Sequence, residues 1–231
     1  MKAMILAAGR GERMRPLTDT TPKPLLKVGR EPLIGWHLHR LRDAGFSEIV
    51  INHAWLGSRI VETLKDGSDY GVSLAYSAEG EQGLETAGGI ATALHLLGNA
   101  PFLVINGDVL TDIDFAAARA CSDRLQQEGR LAHLWLVPNP EHNPKGDFSL
   151  LENGTVASEA DGGRRMTFSG MGVYDPKLFC NTPVRQPAKL APLLREAMNK
   201  GLVSGEAHEG LWLDVGTVER LAEADKLAQG W

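Results

Sequence analysis

Four charged residues of this 231-residue chain, Arg13, Lys23, Asp108 and Asp214, are of the types that manage a transferred phosphoryl group. Arg13 closes a run of small residues, Ala7-Ala8-Gly9-Arg10-Gly11-Glu12, and Lys23 sits within Pro22-Lys23-Pro24-Leu25. Small residues after a strand let the backbone approach a ligand closely, so that its N–H groups reach phosphates or a base. Charge developing on phosphoryl and pyrophosphate oxygens needs preorganised cations. Prolines on both sides of Lys23 stiffen the backbone that carries one. Asp108 follows the apolar run 102–105, and Asp214 follows Trp212-Leu213. Two hard carboxylates can hold Mg²⁺, with phosphate oxygens and water filling the remaining positions. Taken singly, each reads equally as a loop acid capping a turn.

A strand followed by Gly-x-Gly is also compatible with a plain structural turn. The dinucleotide fingerprint requires a small residue three positions after the second glycine, where Met14 stands, so an oxidoreductase is disfavoured. A P-loop ends in Gly-Lys-Ser/Thr, which is absent. The remaining reading is a triphosphate attacked at its α-phosphorus, and it calls for no Ser-His-Asp or Cys-His nucleophile. The seven histidines lack His-Glu-x-x-His spacing, which speaks against zinc. Cys121 and Cys180 are too far apart for a zinc knuckle and read as buried thiols of a reducing compartment.

Alternating short β-type runs and amphipathic helices must position these groups, the pattern of a parallel sheet covered by helices. Strands are expected at 2–7, 48–52, 72–76, 102–105 and 132–137. Pro32 opens a helix with Leu33, Trp36, Leu38 and Leu41 at helical spacing, its His37 and His39 partly exposed. Further helices are expected at 56–64, from an N-cap at Thr86 to Leu97, and at 115–125. Beyond Pro138 the pattern turns α+β, with a hairpin at Asn153-Gly154, a strand at 166–174 and helices at 190–198 and 218–227. Trp55 is expected to pack, and the charges of 219–226 to form a solvated face. One continuous domain is expected, with a nucleotide half at 1–137 and a sugar half at 138–231.

In sequence, Leu-Ala-Ala-Gly-x-Gly-x-Arg-Met-x-Pro-Leu-Thr and Pro-Lys-Pro-Leu are followed by Leu84-Glu85-Thr86-Ala87-Gly88-Gly89, Asn106-Gly107-Asp108, Lys145-Gly146-Asp147 and Trp212-Leu213-Asp214-Val215-Gly216-Thr217. Across nearly the whole chain this resembles the sugar-1-phosphate nucleotidyltransferases. The resemblance implies a Rossmannoid, glycosyltransferase-A-like α/β fold with a mixed, mostly parallel sheet flanked by helices. It also implies Mg²⁺ as cofactor, with a nucleoside triphosphate and a sugar-1-phosphate as substrates. Glu12 replaces the family's usual threonine and Glu85 its usual glycine, a combination most similar to the bacterial N-acetylmuramate-1-phosphate uridylyltransferase branch of peptidoglycan recycling. Runner-up readings are a transferase for glucose-, GlcNAc-, mannose- or heptose-1-phosphate using UTP, dTTP or GTP, and a non-catalytic nucleotide-sugar sensor.

By the same resemblance, Arg13 grips the β- and γ-phosphates and Lys23 the α-phosphate and incoming sugar phosphate, while Asp108 and Asp214 hold the metal. Ala7, Ala8, Gly9, Gly11, Glu12, Glu79, Gly88 and Asn106 line the nucleotide, and Gly146, Asp147 and Glu159 the sugar. A muramyl sugar carries a lactyl carboxylate, for which Lys145, Arg164, Arg165 and Lys189 are candidate partners.

Composition sets the outer bounds. The balance of 24 Lys plus Arg against 29 Asp plus Glu leaves a net charge of −5, which speaks against a nucleic-acid partner. No apolar run approaches the roughly 20 residues of a membrane span and no signal peptide is visible, so a cytoplasmic monomer or small homo-oligomer is expected. With the sequence ending at Trp231, the transferase alone is expected, without the acyltransferase domain of related bifunctional enzymes.

Overall fold

The computed structural model describes residues 1–159 and 162–229; Trp231 lies outside them. Strand β1 (Ala3–Leu6) and the short helix α1 (Leu17–Thr20) precede a small ribbon of β2 (Lys27–Val28) and β3 (Glu31–Pro32), which leads into α2 (Leu33–Asp43). Next come β4 (Glu48–His53), α3 (Gly57–Leu64), β5 (Ser73–Ala78), α4 (Glu85–Leu97), β6 (Phe102–Asn106) and β7 (Val109–Thr111). Helix α5 (Ala117–Glu128) and β8 (Ala132–Val137) end the alternating stretch. The remainder holds β9 (Phe148–Leu150), β10 (Val156–Ala157), β11 (Arg164–Tyr174), α6 (Leu190–Asn199), β12 (Val203–Ala207), β13 (Trp212–Asp214) and α7 (Val218–Ala228).

Among the described residues one nine-stranded mixed sheet runs β10-β9-β11-β6-β1-β4-β5, with β8 also on β11 and β12 on β8. Strands β6, β1, β4 and β5 are parallel, whereas β11 runs antiparallel to β6. The strands are apolar on both faces because both are covered. Ile5, Ile51 and Ile105 point towards α2, α3 and α5, meeting Leu38, Leu41, Ile60 and Leu125. Met4, Val50 and Val104 point the other way, towards Ile90 of α4 and Leu194 of α6. A third cluster joins the ends of the chain, packing Met14, Leu26, Val28 and Trp36 against Val215, Ala224 and Ala228.

Several local expectations need correction. Pro32 sits one residue before α2 as its N-cap, in extended backbone. Helix α4 begins at Glu85 with Leu84 as N-cap, so Thr86 lies inside it. No side chain caps that end; the Ala188 carbonyl accepts from the N–H groups of Ala87 and Gly88, at 2.9 and 3.1 Å. A backbone segment has taken over the capping role, which removes the reason for a cap at Thr86. Strands β7, β12 and β13, three to five residues long, are too short to be expected from the sequence. Cys180 is exposed, unlike Cys121.

His37 is buried, contrary to the expected exposure, with 2% of its surface accessible and its ring 6.2 Å from that of Phe115. Burial, reinforced by the nearby Arg40 charge, lowers its pKa to about 4, against smaller opposing effects of Asp108 and the Val109 backbone. Between that value and the unfolded 6.5 the unfolded chain binds a proton that the folded one refuses, so stability is lost as pH falls through this window. Relative to a His37→Gln variant, the native chain is expected to lose about 2 kcal/mol between pH 6.5 and pH 5. Urea unfolding at the two pH values checks this, and parallel pH curves for both proteins would rule it out.

Candidate active site

Leu6 pairs with Asn52 on one side and Asn106 on the other, placing three parallel strand ends in one row. Ligands of open α/β sheets bind at this carboxyl edge. A cavity of about 760 Å³ opens there, lined among others by Ala7, Ala8, Gly9, Gly11, Glu12, Lys23, Glu79, Asn106 and Asp108. Nine of the twelve residues expected around the nucleotide and metal therefore share one cavity.

The other three lie elsewhere. Gly88 packs behind the cavity wall, where a β-carbon would stand 2.2 Å from the Gln186 carbonyl oxygen. Arg13 is exposed, its guanidinium beside Gly216. Asp214 is held by Arg220 and by His142, whose Nε2 is 3.2 Å from Oδ1. Its strand nevertheless brings it close to Asp108 in the backbone: Asp214 pairs with Val109, and the Val215 N–H donates to the Asp108 carbonyl at 2.7 Å. Lys23 is nearly enclosed and its Nζ reaches Asp108 Oδ2 at 2.5 Å.

The cavity's back wall is a chain of hydrogen bonds. Ala7 N–H donates to Asn52 Oδ1 at 2.8 Å, Asn52 Nδ2 donates to Glu79 Oε1 at 2.7 Å, and Leu84 N–H donates to Glu79 Oε2 at 2.7 Å. Burial pushes the Glu79 carboxyl up, while the Leu84 and Asn52 donors pull it back. The network ties β1, β4 and α4 together, and a satisfied buried network of this kind rigidifies a wall.

A second cavity of about 340 Å³ adjoins the first, sharing Leu6, Glu85, Thr86 and Asn106 with it. Asp147 lines it, with Oδ2 accepting from the Phe168 N–H at 2.8 Å and Oδ1 from Asn143 at 3.1 Å. Lys189 and Arg195 stand on its α6 side. Asn106 projects into both cavities where β11 slips register between Phe168 and Gly172. Gly170 sits in that irregularity at φ +80°, and a β-carbon there would meet Asn106 Nδ2 at 2.5 Å. Gly146 and Glu159 line neither cavity, and Glu159 is exposed. Of the other cations, Arg164 pairs with Glu209, Arg165 is spent on the carbonyls of Lys145, Gly146 and Ser158, and Lys145 is exposed.

The family model for Nucleotidyl transferase matches residues 2–229. The chain belongs to this family. It is 65% identical, over all 231 residues and the full length of both, to the N-acetylmuramate alpha-1-phosphate uridylyltransferase of Neisseria meningitidis serogroup B. A protein of that name from Caulobacter vibrioides is 34% identical, with 98% of this chain and 97% of the relative aligned. Against the mannose-1-phosphate guanyltransferase of Saccharomyces cerevisiae, 42% identical, the alignment takes in 94% of this chain but 61% of the relative. A Bacillus anthracis structure described as a glucose-1-phosphate thymidylyltransferase, solved with sucrose, superposes with a TM-score of 0.82 over 100% of this chain and 96% of its own, at 24% identity. The fold is the Rossmannoid, glycosyltransferase-A-like α/β fold expected, with its mostly parallel sheet flanked by helices.

Several residues of this nucleotidyltransferase's site escaped the sequence. Trp55 borders the larger cavity; the Arg10 guanidinium stacks 3.9 Å from its ring, and its Nε1 donates to the Thr18 carbonyl. Arg220 is not part of a solvated face, because its side chain is only 15% exposed and turned onto Asp214. For Trp55 and Arg220 alike the partner is chosen by tertiary structure, Arg10 for the one and Asp214 for the other. Arg195 was equally hidden, as one charge on an amphipathic helix.

The family resemblance implies a glycine at position 85, and Glu85 adopts φ +57°, the left-handed region in which a side chain costs about 1–2 kcal/mol. It lines both cavities. Glu85→Gly is expected to raise stability by about 0.5–1 kcal/mol, the relieved strain outweighing glycine's entropy cost, while lowering kcat/KM. Denaturant unfolding alongside steady-state kinetics checks this; a variant both less stable and fully active contradicts it.

Proposed function

We propose that this enzyme transfers UMP from UTP to N-acetylmuramic acid 1-phosphate, releasing pyrophosphate and UDP-N-acetylmuramic acid, as a cytoplasmic step of peptidoglycan recycling. The geometry that carries the reading is the pair of adjoining cavities. The larger combines a glycine-rich backbone with Lys23 and Asp108, and the smaller presents Lys189 and Arg195 to an anionic sugar. Full-length identity of 65% to a relative of that name supports the same substrates.

The larger cavity is lined by five carboxylates, Glu12, Glu79, Glu81, Glu85 and Asp108, against two cations, Arg10 and Lys23. A triphosphate entering it needs further positive charge, and the hard oxygens of Asp108 and Asp214 suit Mg²⁺. When bound, the ion neutralises phosphate charge and orients the phosphates. The protein's own part is positioning and charge stabilisation. Backbone at Ala7–Gly11 cradles the nucleotide, and Arg13, outside the cavity lining, serves the β- and γ-phosphates. A phosphate oxygen of the sugar-1-phosphate attacks the α-phosphorus, the bond to pyrophosphate breaks, and Lys23 steadies the charge that passes between them. Asn106, set in both cavities, and Asp147 orient the sugar side. The whole chain acts as one catalytic domain.

Incubating the purified protein with each of four nucleoside triphosphates and a panel of sugar-1-phosphates, and following pyrophosphate, tests the reading. Turnover is expected with UTP and the muramyl substrate, and its loss on chelation. Turnover with glucosamine- or mannose-1-phosphate but not with the muramyl sugar would overturn the substrate assignment, and no turnover with any pair the reaction itself.

A further inference from the structure

Away from both cavities, Cys121 of α5, His133 of β8 and Glu206 of β12 converge where the sheet is continued beyond β11. One ligand atom from each lies within 4.8 Å of the others. Cys121 is 2% exposed and His133 5%. Two of the three donors are already held from behind. His133 Nδ1 is 3.0 Å from the Ser204 hydroxyl, and the Trp135 Nε1–H donates to Glu206 Oε1 at 2.7 Å. The other ring nitrogen, His133 Nε2, is buried without a hydrogen-bond partner, 3.8 Å from Glu206 Oε2. A buried polar atom left unpaired at a convergence of sulfur, nitrogen and oxygen donors calls for an explanation.

We infer that Cys121, His133 and Glu206 form a second metal site, for a borderline-soft divalent ion of the Zn²⁺ class, distinct from the hard-oxygen pair of the active site. Thiolate with imidazole selects zinc-like ions over Mg²⁺ and Ca²⁺. Zn–S of about 2.3 Å and Zn–N or Zn–O of about 2.0–2.2 Å place tetrahedral ligand atoms roughly 3.3–3.8 Å apart. The His133–Glu206 separation meets that already, and small side-chain adjustments bring in Cys121. Ser204 and Trp135 are the outer partners that orient metal-bound imidazole and carboxylate. Glu206 opens onto solvent, leaving the fourth position to water. On binding, the Cys121 S–H proton passes to solvent as the S–metal bond forms, and no electrons are transferred. Arg124, 3.3 Å from Cys121 Sγ, gives up that contact. The ion pins α5 to β8 and β12, a structural role that sequence spacing conceals because its ligands come from three separate elements.

Co²⁺ titration of the full chain, with excess Mg²⁺ present to hold the hard-oxygen site, tests this. A near-ultraviolet thiolate-to-cobalt charge-transfer band is expected, saturating at one Co²⁺ per chain and displaced by Zn²⁺. It should vanish in Cys121→Ser, persist in Cys180→Ser, and require at least about 10-fold more Co²⁺ in Glu206→Gln, whose exposed side chain leaves folding intact. Zn²⁺ at about 100 times its Kd should raise the native Tm by roughly 5 °C or more. Absence of the band, its persistence in Cys121→Ser, or unchanged Co²⁺ affinity in Glu206→Gln would overturn the site.

Discussion

Replacing Lys23 with alanine is expected to lower kcat by about 100-fold or more, equivalent to roughly 2.7 kcal/mol of transition-state stabilisation. Lys23 is fixed on three counts: prolines on either side, burial to 8% exposure, and the 2.5 Å ion pair with Asp108. A cation held this way is preorganised and needs no rearrangement when charge develops. Asp108→Asn should produce a loss of the same order, since it removes the formal charge proposed to hold the metal. The two effects should not add, because each residue is the other's partner. Folding should survive: in Lys23→Ala the remaining Asp108 side chain is 37% exposed and open to water, and in Asp108→Asn the amide oxygen still accepts from Lys23. Single-turnover kinetics with saturating UTP separate chemistry from binding. Near-native rates in either variant would remove that residue from the proposed mechanism.

The second large effect concerns the sugar. Lys189→Ala combined with Arg195→Ala is expected to lower kcat/KM for the muramyl substrate by about 100-fold, taking each charge-assisted contact at roughly 1.5 kcal/mol. For glucosamine-1-phosphate derivatives, which lack the lactyl carboxylate, the change should be within about threefold, provided the cations read that group and not the phosphate common to both. A uniform loss across both sugars would instead assign the pair to the phosphate. The specificity ratio, measured at one UTP concentration, is the decisive quantity.

The strand–helix alternation up to residue 137 was legible because buried parallel strands are apolar throughout and their helices carry one apolar face. The glycine loop, Lys23 and Asp108 were legible for a related reason: each lies immediately beyond a strand end or a proline, so local sequence alone places it. Helix α4 shows where that reasoning stops. Its first turn is completed by the carbonyl of Ala188, about a hundred residues away, and no local pattern announces that. Strands β12 and β13 are paired, half-polar and short, held by their neighbours more than by their own composition. Arg195 and Arg220 do not stand out in the sequence for the same cause, since a charge on a helix acquires its meaning from what the fold sets opposite it.

The pairing of β13 with β7 bears on how the protein is made. During synthesis the glycine loop, Lys23 and Asp108 leave the ribosome early, while Asp214 and its partner Arg220 follow about a hundred residues later. Such non-local contacts form late, after most of the chain entropy has been lost. A nascent chain therefore carries a nucleotide cradle before it has the second proposed metal ligand. On the proposed mechanism, competence for phosphoryl transfer arrives with one of the last strands to emerge.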